Sequence, residues 1–178
     1  QIVAPKGRVG IIVPSGITTD YSYRGFFQDL MRCQSLVSQY DFENRRKLFP
    51  DVDGRMKFSL LTLGGSAGAY SASDLAFFLH SVDDLAEEER RFTLDTGDLT
   101  LVNPNSRTCA VYRSERDAEL NRAIYRRVPV LIAEGPPEDN PWGVGFTTLF
   151  HMTNDSSLFR TREQLEADGW QLEGNVFR

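Results

Sequence analysis

Residues 7–63 alternate strand-like and helix-like patterning in the order that a crossover unit requires, and this sets the fold class more firmly than any other feature. Val9-Gly10-Ile11-Ile12-Val13 is a short apolar run bounded by Gly7 and Pro14, a pattern that suits a buried parallel strand better than a half-exposed one. Thr18, Thr19 or Asp20 is placed to cap a helix in which Tyr23, Phe27 and Met31, with Phe26 and Leu30, share a face at three-to-four-residue spacing. Residues 36–42 and 56–63 are rich in branched and aromatic side chains. A polar turn holding Pro50, Asp51, Asp53 and Gly54 separates them, so they are expected to be neighbouring strands with a hairpin-like connection.

The remainder mixes short elements. Residues 64–73 are dominated by Gly, Ser and Ala and read as a flexible loop. Residues 75–82 predict a strand, 83–91 a charged helical turn, and Thr96 with Asp98 the start of a helix that must stop near Pro104. Ser114 and Asp117 open a helix running to about Arg127, with Leu120, Ile124 and Val128 as its apolar stripe. Residues 134–141 form a Pro-rich acidic loop, 142–152 read as a strand, Thr161 and Gln164 form a capping box, and Gly169 ends that helix. Residues 170–177 are strand-like.

With 178 residues, 40% of them apolar, the chain can build one substantial core. It has no run of about 18 apolar residues and no charged-then-apolar leader, so a membrane partner is not expected and a soluble, cytoplasmic protein is. Cys33 and Cys109 are too few for a disulfide framework and too far from any second Cys or His for a metal-ligand pattern; buried thiols are expected, and no metal. His80 and His151 are isolated, which argues against a nucleophile-base pair; His80 reads as a strand residue with a satisfied ring nitrogen. No Asp or Glu followed by a Glu-x-Lys pattern stands out, which disfavours a nuclease. A net charge of −5 opposes simple nucleic-acid binding, but Arg45, Arg46, Lys47, Arg55 and Lys57 surround one predicted turn, and Arg122, Arg126 and Arg127 recur along one predicted helix.

The order of Arg8–Pro14, the helical stretch, Leu36-Val37-Ser38-Gln39-Tyr40-Asp41-Phe42, Leu48-Phe49-Pro50-Asp51-Val52 and Lys57-Phe58-Ser59-Leu60-Leu61-Thr62-Leu63 resembles the late catalytic part of the large adenine-N6 DNA methyltransferases of restriction-modification systems, particularly the fused type IIG kind and related phage-defence methylases. Asn103-Pro104-Asn105-Ser106-Arg107-Thr108-Cys109 and residues 117–125 resemble later segments of the same enzymes. The resemblance implies an α/β to α+β fold. Residues 1–63 would be the distal part of a Rossmann-like methyltransferase sheet, 64–73 the loop, and 74–178 an α+β extension leading to the target-recognition region. The family acts through an Asn or Asp-Pro-Pro-aromatic loop. Asn103-Pro104 lacks the second proline, Asp139-Asn140-Pro141-Trp142 has Asn where a proline is required, and Gly135-Pro136-Pro137-Glu138 lacks the polar first and aromatic last residues. No catalytic residue is therefore assigned here. The chain, opening at Gln1 and closing at Arg178, is expected to be an internal segment, inactive alone, with S-adenosylmethionine bound elsewhere in the intact parent.

The chemistry explains the division. The adenine amino nitrogen shares its lone pair with the ring, so oxygen acceptors must draw its hydrogens before a sulfonium methyl can transfer. The base must first be swung out of double-stranded DNA and held between flat or apolar groups. In the family an aromatic residue of a Phe-Pro motif between the late strands stacks on that base. Phe49-Pro50 matches it, Arg45, Arg46, Lys47, Arg55 and Lys57 flank the same turn beside the phosphates, and the competing reading of Phe49 is a core ring beneath the hairpin. Lys57 has the alternative of guarding a strand edge. Pro14-Ser15-Gly16 either lines a pocket at the carboxyl end of the first strand or is a plain strand-to-helix turn. The alternative for the whole chain is a non-catalytic DNA-specificity or interdomain scaffold.

Overall fold

A computed structural model describes residues 3–178, which fall into two compact units that divide between Trp142 and Gly143. The first unit contains β1 (Arg8–Pro14), α1 (Gly16–Thr19), α2 (Arg24–Arg32), β2 (Leu36–Glu43), β3 (Lys57–Gly64), β4 (Ala72–Leu79), β5 (Phe92–Asp95), α3 (Thr96–Val102) and α4 (Glu115–Tyr125). Its five strands form one mixed sheet in the order β1-β3-β2-β4-β5, so the fold class is α/β. Because β3 is antiparallel to both β1 and β2, and β2 is parallel to β4, the strands β1, β2 and β4 all run the same way. Their carboxyl ends therefore share one edge of the sheet. The sheet continues past residue 63, since β4 and β5 extend it.

The expected hairpin forms: β2 and β3 pair from Glu43 opposite Lys57 to Leu36 opposite Leu63. The expected position of the first strand does not. β1 is an antiparallel edge strand paired only with β3, and Ile12 is 60% exposed. An all-apolar run reads as buried on both faces, but here β3 takes the interior position that the crossover would otherwise give to β1.

α2 buries Phe27, Leu30 and Met31 against Leu36, Leu61, Leu75 and Phe77, as the spacing predicts, while Tyr23 and Phe26 stay exposed. Thr18 belongs to α1, and α2 is entered instead through a 3₁₀ turn, Tyr21–Tyr23, without a side-chain cap. On the opposite sheet face Phe42, Ala76 and Leu79 pack with Tyr40, Phe58, Leu60 and Leu85. Residues 83–91 wind into two 3₁₀ turns. The segment after β3 is tied down: the Gly65 amide donates to the Gly7 carbonyl, Ala67 to Pro5 and Tyr70 to Gln34. A side chain at Gly65 would collide with the carbonyls of Ala4 and Pro5, so only glycine lets the two backbones approach.

α3 is capped by Asp95, whose carboxylate accepts from the Asp98 amide at 2.7 Å, and it stops before Pro104. In α4 the Ser114 hydroxyl accepts from the Asp117 amide, as expected, but the stripe is corrected. Leu120, Ile124 and Val128 are exposed, and Ala118 is the buried residue. Arg122, one turn beyond Ala118, donates to the Thr93 carbonyl and to Asp98, each at 3.0 Å. Those two bonds turn the Ala118 and Arg122 side toward β5 and α3. Leu120 lies two residues on, about 200° around the helix, and so faces out. Cys109 is buried, and burial pushes its thiol well up; Cys33 is exposed, contrary to expectation, because it follows the last residue of α2.

The second unit, Gly143–Arg178, holds α5 (Arg162–Ala167) and a hairpin of β6 (Leu172–Glu173) with β7 (Val176–Phe177). Thr161 and Gln164 cap α5 reciprocally, and Gly169 follows it with a φ of +89°. The strand expected at residues 142–152 is absent: no ladder partner meets it among the described residues, and Phe146 and Leu149 are exposed. Among the described residues no helix is long and apolar enough to cross a membrane.

Candidate functional site

The β2–β3 connection leaves the sheet at the shared carboxyl edge of β1, β2 and β4, and its shape is set by Asn44. This residue is fully buried (0% exposed). Its backbone amide donates to the Met56 carbonyl at 2.9 Å, closing the base of the connection. Its carboxamide nitrogen donates to the carbonyls of Phe49 and Val52, both at 2.9 Å, while its carboxamide oxygen accepts from the Phe49 amide at 2.9 Å. Lys47 takes a left-handed conformation, φ 55°, to turn the chain, and its ammonium donates to the Val52 carbonyl at 2.9 Å.

Phe49 is thereby presented at the end of an aromatic stack that rises from the core. Phe42 is 1% exposed and stacks on Phe58 with centroids 5.4 Å apart. Phe58 meets Phe49 edge-on at 4.9 Å. Phe49 is 39% exposed, so part of its ring remains open to solvent. It is neither a core ring nor a loose loop residue.

The five cations flanking this turn are brought to the same region, but four already have protein partners. Arg45 lies 2.5 Å and Lys57 3.1 Å from the Glu43 carboxylate, which His80 also approaches at 3.4 Å. The Arg45 hydrogen bond above all, with Lys57, holds the Glu43 carboxyl down at about 2, against a smaller opposing effect of burial. Arg55 is bound through its side chain and its amide to Asp53, and Lys47 to the turn carbonyl. Arg46 makes no ion pair among the described residues and is exposed. The second basic group is less available: Arg122 is engaged by Asp98, and Arg126 lies 4.0 Å from the same carboxylate.

On the α2 face of the same edge lies a buried polar group that sequence reasoning did not single out. The Ser59 hydroxyl donates to Asp41 at 2.7 Å, and the Gln39 carboxamide donates to Thr18 at 2.7 Å and to Ser59 at 3.2 Å. Burial raises the Asp41 pKa, opposed by the Ser15 and Ser59 hydroxyls. The Ser15 Oγ nonetheless lies outside ordinary hydrogen-bond geometry, and it and the Gln39 Oε1 are buried without partners among the described residues. The Pro14-Ser15-Gly16 turn is filled by the Asp20 carboxylate, which occupies the space a side chain at Gly16 would need. That is the packing of a strand-to-helix turn. The signal for Gln39 and Asp41 is their polarity in a strand that the chain buries; Asn44, just beyond it, carries no such signal.

A cavity of about 410 Å³ lies elsewhere, beside the C-terminal half of α2, where Gln28, Arg32, Leu99 and Arg107 line it. None of the turn residues reaches it. The chain matches no protein-family model, no curated protein and no solved structure.

Proposed function

We propose that this chain is the base-holding portion of a site-specific DNA adenine-N6 methyltransferase of the restriction-modification or phage-defence kind, with β1, β2 and β3 forming the distal part of a Rossmann-like catalytic sheet. The observation that carries the reading is the stance of Phe49: a half-exposed ring, braced edge-on by Phe58, on a turn locked at the edge where strands β1, β2 and β4 end. Open α/β sheets receive ligands at that edge. An adenine swung out of the duplex lays its face against the open side of the ring. Stacking of this kind stabilises the extruded base by about 1–3 kcal/mol.

Arg46 is the best placed of the five cations for a phosphate beside the extruded nucleotide, since Arg45, Lys57 and Arg55 are held by carboxylates. The Asn or Asp-Pro-Pro-aromatic loop and the residues that hold S-adenosylmethionine belong to the rest of the parent enzyme. The cofactor supplies the methyl group there; the role of this chain is to hold the base flat and to touch the backbone of double-stranded DNA. The alternative, a non-catalytic DNA-specificity or interdomain scaffold, draws on the intramolecular pairing of most of the flanking cations.

The test is Phe49→Ala in the complete enzyme, with tritiated methyl transfer and 2-aminopurine fluorescence at the target adenine. The base-holding reading expects both signals to fall by about 5- to 150-fold in the governing equilibrium or rate while cofactor binding is retained. Unchanged methylation, or methyl transfer by the isolated 178-residue chain, overturns it.

A further inference from the structure

We propose that Asn44 is a positioning residue for Phe49, the template on which the base-stacking turn is wound. The inference rests on the base-stacking reading above and adds a residue that neither touches DNA nor reacts. One carboxamide holds both backbone polar groups of Phe49, accepting from its N–H and donating to its C=O, each at 2.9 Å. The peptide planes on either side of the Phe49 Cα are therefore fixed by a single side chain. Pro50 limits the next φ by its ring, and Phe58 sets the stance of the aromatic group.

The requirement is specific to asparagine. An Asp of the same length keeps the acceptor and loses both donors, a Gln overshoots by a methylene, and a Ser has one hydrogen to give where two carbonyls wait. Asn44 is fully buried, so its own bonds are shielded from water in the folded chain. Its backbone also anchors the turn through Met56. The ring that meets the base is thus located by a group that sits beneath it in the fold.

The experiment is a double-mutant cycle in the complete enzyme: Asn44→Ala, Phe49→Ala and the pair, each read by kcat, KM, 2-aminopurine fluorescence, S-adenosylmethionine binding and thermal unfolding. A misplaced ring lowers kcat/KM by up to the loss that removing it causes, about 5- to 150-fold. Asn44→Ala is expected to do this with cofactor binding retained, and the double variant is expected to be no worse than Phe49→Ala, because Asn44 acts through that ring. Losses that multiply in the double variant, or an Asn44→Ala enzyme as active as the parent while Phe49→Ala is impaired, overturn the positioning role alone. An intact Phe49→Ala enzyme overturns the base-stacking reading beneath it. Should Asn44→Ala fail to fold, Asn44→Asp keeps the Phe49 amide acceptor and is expected to give the same direction of loss. Hydrogen exchange of the Phe49 amide in the unmodified protein gives an independent reading: strong protection is expected, and exchange as fast as an open loop overturns the inference.

Discussion

Replacing Glu43 by Gln removes a charge that three side chains share, and the structure sets the size and the pH range of the effect. The Glu43 carboxyl is lowered from 4.5 to about 2 by Arg45 and Lys57. Taken whole, such a shift corresponds to about 3 kcal/mol. The Glu43 side chain is only 11% exposed but its cations are 65% and 45% exposed, so solvent screens the pairs and about 1–2 kcal/mol remains. Because the folded pKa is the lower one, this stability is present above the unfolded value and is lost as pH falls from about 4.5 to about 2. Urea unfolding of wild type and Glu43→Gln should therefore differ by about 1–2 kcal/mol at pH 7 and converge toward pH 2. Other carboxylates titrate in both proteins and cancel in the difference. A gap at pH 2 as wide as that at pH 7 would show that Glu43 acts by shape and hydrogen bonding, and the electrostatic account would fail.

Two further substitutions separate core from site. Phe42→Ala should cost about 3–5 kcal/mol of stability, whereas Phe49→Ala should cost about 1 kcal/mol, the worth of its edge contact with Phe58; equal losses in denaturant unfolding would return Phe49 to the core. Arg122→Ala strips the partner from Asp98 in a mostly buried pair and should cost about 3 kcal/mol, while Arg126→Ala should change thermal unfolding little; the reverse order would contradict the helix orientation described for α4.

The local grammar of the sequence carried a long way. The Ser114 and Thr161 caps, the glycine after α5, the buried face of α2 and the β2–β3 pairing all follow from short-range rules, because each depends on residues within a turn or a hairpin. What failed depended on distant partners. Nothing in residues 8–14 says that β3 will take the place beside β2, and the short strand β5 was missed because its order follows from pairing with β4. The α4 stripe misled because an arginine anchored by Asp98 outweighed three aliphatic side chains. Phe49 and its flanking cations were visible from their pattern, but the pairing that occupies most of those cations was not. Asn44 escaped notice because a carboxamide reveals its role only through the carbonyls it meets.

The placement of β1 also orders events in time. Arg8 faces Gly64 and Pro14 faces Phe58, so β1 has no neighbour in this sheet until β3 has been made. The β2–β3 ribbon joins through nearby residues and can nucleate first, whereas β1 must wait and then close a long chain segment against it, a step whose entropic cost slows folding. Ile11 and Ile12 stay exposed even in the folded chain, and crowded refolding should tempt them toward neighbouring molecules while the β1 backbone is still unpaired.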